Sequence, residues 1–375
     1  MNARLPAAMS SSLILLACGG GYGGGGSGGG PGGGGPGGGY GGPDDVTAPT
    51  VTLSAPAIAN RTTMLTANAS DNVGVTTVEF RLDGTVLGRV TTAPYTFTWD
   101  TSAAADGTHV LTAVAGDAAG NTTTSAAVNV EVRNQQQFAL ALTEAQENPP
   151  TGSQATGSGT IDVNLLTGAT TGAITITGFS VTAAHIHDGF AGINGPILIG
   201  LQEDPANPQR WQVSANAMLT AAQIDRLMTG ALYANAHSAQ FPGGEIRAQL
   251  APANVRVIFT ALTGQEEVPP ATTTASARAA TTVDTTIRTV TIHVNTTNLD
   301  TADAAHIHTG AAGVSGPILI GLTRDAVTPS LWSAVAASVT EAQLQDFNAN
   351  RWYVNVHTPA NPDGEVRGQI IAPQN

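Results

Sequence analysis

The stretch His185–Leu201, HIHDGFAGINGPILIGL, decides how the chain is read, because it returns as His306–Leu322, HIHTGAAGVSGPILIGL. Thirteen of the seventeen positions are identical. The likeness extends in both directions. Upstream, Glu147-Asn148-Pro149-Pro150 is matched by Glu267-Val268-Pro269-Pro270. Downstream, YANAHSAQFPGGEIRAQ from Tyr233 is matched by YVNVHTPANPDGEVRGQ from Tyr353. The period of about 120 residues is too long for a solenoid unit and long enough for a domain with its own core. Two tandem domains follow, over 137–251 and 256–372.

Within the first copy, alternating apolar and polar residues predict strands at 138–142, 157–163, 173–177, 196–200, 232–237 and 245–250. One helix interrupts them. Thr220 and Gln223 form a capping box, Ile224, Leu227 and Met228 an apolar stripe, and Gly230 a stop. The second copy repeats the signal with Thr340, Gln343, Leu344 and Phe347. Each copy therefore reads as a β-sandwich or barrel carrying one short helix. Ahead of them, strands are expected at 50–53, 76–82, 95–99 and 109–115, separated by Asp-Asn and Asp-Gly turns. Short strands at this spacing indicate an antiparallel sandwich over 46–133. Asp71, Asp83 and Asp117 are read as turn formers rather than calcium ligands. The fold class is all-β: a sandwich followed by two sandwich or barrel domains.

Composition narrows the chemistry. There are 375 residues, with Lys+Arg 14 against Asp+Glu 27 and a formal net charge of -13. All the basic residues are arginines. Without lysine there is no Schiff-base or P-loop chemistry, and the acid excess argues against nucleic acid as a partner. The single cysteine, Cys18, permits no intrachain disulfide and no multi-cysteine metal site. The G-x-S-x-G string at Gly25 to Gly29 lies in the glycine tract and marks no elbow, and no H-E-x-x-H zinc helix occurs.

The N-terminal 18 residues place Arg4 before a short apolar run, Leu13 to Leu16. That run is too short to span a bilayer and suits a secretory signal. Leu15-Leu16-Ala17-Cys18 resembles the lipobox of bacterial lipoprotein signals. The resemblance implies a diacylglyceryl group on the Cys18 thiol, removal of the preceding peptide and a stable acyl anchor. Residues 19–45 are mostly glycine and read as a flexible tether, with a reach of roughly 25–30 Å.

Two further resemblances concern the domains. TAPTVTLSAP, DNVGVTTVEFRLDG, APYTFTWDT and DAAGN make 46–133 similar to bacterial immunoglobulin-like domains, which serve as spacers or adhesion modules. The repeats carry E-x-P-P, A-H-I-H-x-G-x-x-G-x-x-G-P, Y-x-N-x-H-T and G-E-[IV]-R-G-Q, and so resemble the CHRD domain, first recognised in chordin. The second copy keeps the whole pattern; the first departs at Ser238 and Ala248. The resemblance implies an extracellular domain and assigns it no reaction.

Alternate residues of a strand share a face. His185 and His187 therefore point together, as do Tyr233, Asn235 and His237, and Glu245, Arg247 and Gln249. If these strands are neighbours, His185, His187, His237 and Glu245 form one candidate metal site, and His306, His308, His357 and Glu365 another. Imidazoles with a carboxylate suit zinc or copper. The fragment His-Ile-His-x-Gly is also similar to the copper-ligand strand of Cu,Zn superoxide dismutases. That family's other ligand histidines and its disulfide cysteines are missing, so superoxide chemistry is not expected. The competing reading is a buried polar network that fixes strand register. His293 has no counterpart in the first copy and is left outside the site. A glycoside-directed enzyme would need a paired acid site; Glu147 and Glu245 are the candidates, with no cleft signal of their own.

These readings converge on a lipid-anchored cell-envelope protein, exported across the inner membrane and displayed at the outer membrane or cell surface. Its work would be non-enzymatic binding or adhesion toward an extracellular protein or polysaccharide. The alternative is a metal-binding or redox envelope protein with one histidine site per repeat.

Overall fold

A computed structural model describes residues 45–373. The signal segment, Cys18 and the glycine tract before Asp45 lie outside the described residues. From Val46 onward the chain forms one compact unit.

The first module is a two-sheet sandwich. Thr50–Ser54, Thr62–Ser70 and Tyr95–Asp100 make one sheet. The second runs in the order Ile58–Ala59, Val128–Val132, Gly107–Asp117, Val75–Leu82, Thr85–Val90. Alternation drives the burial: Leu65 and Ala67 from one sheet meet Val78, Phe80, Leu111 and Val130 from the other. Strand Thr62–Ser70 escapes the sequence pattern because small and polar residues dominate it, and Thr85–Val90 because Val86-Leu87 breaks its alternation. Gly88 leaves room for the Phe97 ring, which would lie 2.3 Å from a Cβ there. The turn aspartates do local work. Asp71 accepts the N–H groups of Val73 and Gly74, and Asp117 those of Asn121.

The first repeat is a closed barrel of eight antiparallel strands. Around it the order is Gln135–Thr143, Thr156–Asn164, Thr170–Thr177, Asn207–Val213, Ile197–Asp204, Ala183–Asp188, Leu232–His237, Ile246–Leu250, and back to the first. Six of these overlap the expected strands; Ile197–Asp204 starts one residue inside the expected 196–200 and runs past it. Asn207–Val213 was not expected, because NPQRWQV lacks apolar alternation. The inward residues Ile161, Ile174, Ile186, Leu232 and Ile246 fill the barrel. Each such side chain contributes about 1.5–3 kcal/mol. The helix Ala221–Met228 closes one side with Ile224 and Leu227, and its capping box is formed as the sequence requires.

The second repeat winds the same way, with nine strands in place of eight. The strand equivalent to Ile197–Asp204 is broken at Leu322 into Ile318–Gly321 and Thr323–Arg324, and these two pieces are the sheet ends. Its helix, Glu341–Asn348, packs Leu344 and Phe347 on the core.

Candidate metal centre

The central pairing in each barrel puts the histidine strand beside the strand that carries the third histidine. Ala183–Asp188 pairs with Leu232–His237 so that His185 faces Asn235 and His187 faces Tyr233. Leu232–His237 pairs in turn with Ile246–Leu250, with Asn235 opposite Arg247 and Tyr233 opposite Gln249. Because Ile186, Ala234, Ala236, Ile246 and Ala248 occupy the core, the histidines, Tyr233, Asn235 and Arg247 project from the outer wall. An outer wall would normally be wet. Here the glycine-rich loop 189–195 folds back over it. Gly195 permits the reversal, since a Cβ there would lie 1.6 Å from the Asp188 carbonyl oxygen.

The outer wall holds this loop by hydrogen bonds. Arg247 donates to the carbonyls of Ile193 at 2.8 Å and Phe190 at 2.9 Å, and Gln249 donates to Gly189 at 2.6 Å. In the second copy Arg367 donates to Ala311 at 3.1 Å and Val314 at 3.0 Å, and Gln369 to Gly310 at 3.0 Å. Each arginine also lies over a tyrosine ring, 3.3 Å for Arg247 on Tyr233 and 3.5 Å for Arg367 on Tyr353. The same tyrosines stack on His187 and His308 with 4.9 Å between centroids in both copies.

The imidazoles are oriented by backbone carbonyls. His187 Nδ1–H donates to Gly195 O at 2.9 Å, and His237 Nδ1–H to Pro242 O at 2.9 Å. Each then presents a bare Nε2. His185 Nδ1 sits 3.1 Å from His237 Nε2. Within each triad, one nitrogen from every ring lies within 4.8 Å of the others. The second copy reproduces these bonds: His308 to Gly316 at 2.9 Å, His357 to Pro362 at 2.9 Å, and His306 Nδ1 to His357 Nε2 at 3.1 Å. The Nε2 atoms of His187 and His308 are buried and have no hydrogen-bond partner. Burial, reinforced by the neighbouring rings, pulls the His185 pKa down to about 4. Burial also lowers those of His187, His237, His306 and His308. The rings are thus held neutral, the form that binds a metal.

The two glutamates expected beside the histidines do not join them. Glu245 Oε1 accepts the Ser153 hydroxyl at 2.6 Å. Glu365 accepts Thr273 at 2.7 Å and Thr358 at 2.6 Å. For Glu365, burial would raise the carboxyl pKa, but the hydroxyl bonds outweigh it and hold it low. Sharing an alternation class did not bring Glu245 to the triad, because the Ser153 hydroxyl holds its carboxylate elsewhere. The carboxyls that do stand by this wall are Glu147 and Glu267 of the E-x-P-P motifs. Burial pushes both up to about 7, against the pull of Arg247 and Arg367. The Asn235 carboxamide lies beside both Glu147 and His187. The recurrence of E-x-P-P in both copies was the signal available for them.

His293 has a separate task. It donates from Nδ1 to Ala191 O at 3.1 Å, and Asn295 donates to Gly192 O at 2.9 Å. The covering loop of the first repeat is thereby bound to the wall of the second.

Two small barrels of this topology, each with a three-imidazole wall, define a tandem β-barrel protein built around a repeated histidine motif. The sequence profile of the CHRD domain matches residues 138–250 and 258–370, and the chain belongs to the CHRD family. Residues 49–113 match the bacterial Ig domain. Among curated proteins nothing matches the chain. One similar solved structure is that of the fibronectin(III)-like modules of Clostridium thermocellum CbhA. It is 31% identical, with 22% of this chain and 94% of that chain covered and a TM-score of 0.21. Immunoglobulin-like and CHRD modules together are the make-up of a binding or adhesion type of protein.

Proposed function

We propose that this chain is a cell-envelope binding protein in which each CHRD repeat holds one transition-metal ion. His185, His187 and His237 would carry the first, and His306, His308 and His357 the second. The observation that carries this reading is the convergence of one nitrogen from each of three imidazoles within 4.8 Å, repeated in the second copy. A register-fixing polar network accounts for the bond between His185 and His237 but not for the third ring, His187, whose Nε2 has only the Asn235 carboxamide beside it. Burying that Nε2 without a full hydrogen bond costs about 1–3 kcal/mol, at the equivalent histidine in both copies. A metal ion would use it. The remaining features fit the same reading. Carbonyl-bound Nδ1–H groups fix the tautomer, as outer partners of liganding histidines do. A nitrogen pair 3.1 Å apart would subtend about 100° at an ion roughly 2.0–2.1 Å from each. Three imidazoles without a thiolate suit Zn or Cu and leave a further position open for water or a small ligand.

The lipid anchor at Cys18 and display outside the cell belong to the same proposal and rest on the lipobox and the glycine tract. Metal analysis of the full chain, after exposure to Zn(II) or Cu(II) and desalting, should give two ions per chain. His308→Ala should leave one, and the double variant with His187→Ala none, with circular dichroism unchanged. A metal-free wild-type chain would overturn the reading. Anchoring is checked separately: radiolabelled palmitate should enter the wild-type protein and not Cys18→Ala.

A further inference from the structure

Next to each histidine triad lies a cavity built from two motifs the metal reading does not use. It measures about 300 Å³ in the first repeat and 250 Å³ in the second. One wall is Pro149-Pro150, or Pro269-Pro270; the facing wall is the Pro242–Gly244 segment, or Pro362–Gly364. The carboxyl of Glu147, or of Glu267, is the polar element of the lining that recurs. Gly244 and Gly364, with φ of +131° and +136°, let bare backbone approach that carboxyl. A Cβ at either would lie 2.5 Å from its Oε1. The E-x-P-P and G-E-[IV]-R motifs, about 95 residues apart in sequence, thus meet at one cavity in both copies.

Glu147 is 4% exposed and Glu267 6%, and Oε1 of each is buried without a hydrogen-bond partner. It can accept a hydrogen bond from a ligand. Arg247 acts on the same carboxyl as a fixed positive charge, so a cationic ligand would meet repulsion from behind. A neutral hydroxyl donor meets none. In the first repeat the half-buried Phe241 adds an aromatic face to the proline wall. In the second, Asn361 replaces it and Asp363 replaces Gly243. We infer that the first-repeat cavity binds a neutral carbohydrate ring, its hydroxyl donating to Glu147 and its apolar face packed on Phe241 and the prolines. The second-repeat cavity keeps the acceptor and lacks the stacking surface, so it binds the same ligand more weakly. The cavity's size is at the lower end of small-ligand sites and suits a single ring.

The test uses the full chain on an array of neutral gluco-, manno-, galacto- and N-acetylglucosamine oligosaccharides. The strongest binder is then titrated by calorimetry with and without EDTA. Binding should be unaffected by chelation, so this inference and the metal proposal fail independently. Phe241→Ala, at the rim, should weaken binding at least tenfold with an unchanged melting temperature. Glu147→Ala should also weaken binding at least tenfold, while Glu267→Ala should leave the dominant site intact. Three results would each overturn the inference: no binding on the array or up to about 10 mM oligosaccharide; binding indifferent to both Phe241→Ala and Glu147→Ala; or preferential, Glu147-dependent binding of an oligolysine peptide.

Discussion

The two CHRD repeats share a histidine wall and differ in what covers it. The bonds that orient the imidazoles agree within a tenth of an ångström between copies. In the first repeat, Phe190, Ala191 and Gly192 of the covering loop continue onto the second barrel, against His293 and Asn295. In the second, Ala311, Ala312 and Gly313 stand at the same place. Their residues are largely exposed. The face that receives the loop differs as well. His293 pairs with Ala280 across adjacent strands, and the equivalent pair in the first barrel is Ala173 with Thr160. There a hollow of about 510 Å³ remains, lined by Gly172, Arg210 and Gln212 among others. Duplication preserved the bonds inside each wall, whereas each outer surface followed its own neighbours.

Removing one imidazole from each copy in turn tests the shared part most strongly. His187→Ala and His308→Ala should each abolish one equivalent of metal, with affinity at the altered site falling at least 100-fold. Inductively coupled plasma mass spectrometry reads the stoichiometry. Unequal losses would break the equivalence of the two walls.

Truncating the buried arginines probes the covering loops. Arg247→Ala frees the carbonyls of Phe190 and Ile193 and loosens the loop that meets the second barrel. Arg367→Ala frees a loop with no such contact. We expect about 3–4 kcal/mol of destabilisation for Arg247→Ala and about 1 kcal/mol less for Arg367→Ala, by denaturant unfolding.

The buried carboxyls give a pH test. Folding raises Glu147 and Glu267 from 4.5 to about 7. The stability tied to the protonated form is complete below the unfolded value and is lost as pH rises through about 7. Glu147→Gln, whose amide can donate to the unpartnered Asn235 Oδ1, should therefore match the wild type at pH 4.5. At pH 8 it should be more stable, by up to about 3 kcal/mol on the scale of roughly 1.4 kcal/mol per pKa unit. Glu267→Gln should behave alike; a difference in midpoint between the two curves would measure how differently Arg247 and Arg367 act. The smallest effect is expected at the contact present in one copy only. His293→Ala should cost about 1 kcal/mol and separate the melting of the two barrels by calorimetry.

Much of this architecture could be read from the residues. The capping boxes at Thr220 and Thr340 are local in sequence, so they were visible, as were strands with strict alternation such as Leu232–His237. Asn207–Val213 was hidden because one edge of its pattern is polar and only Trp211 is buried. The triads were legible because two of three histidines sit two apart on one strand. Glu245 was misplaced because alternation fixes a side of the sheet and says nothing of which neighbour claims the side chain. His293 was passed over because it serves a contact between repeats, and nothing local marks such a contact.

The amino-acid sequence determined the tandem organisation, the all-β class, and which residues turn away from each core. These follow from periodicity and short-range hydrogen bonding, which act over a few residues. Only the tertiary structure decided that the glycine loop folds back to bury an outer wall, and that Glu147 rather than Glu245 stands beside it. It also decided that two motifs about 95 residues apart enclose one cavity. Those outcomes depend on distances between strands remote in the chain, and closure of the barrel sets those distances.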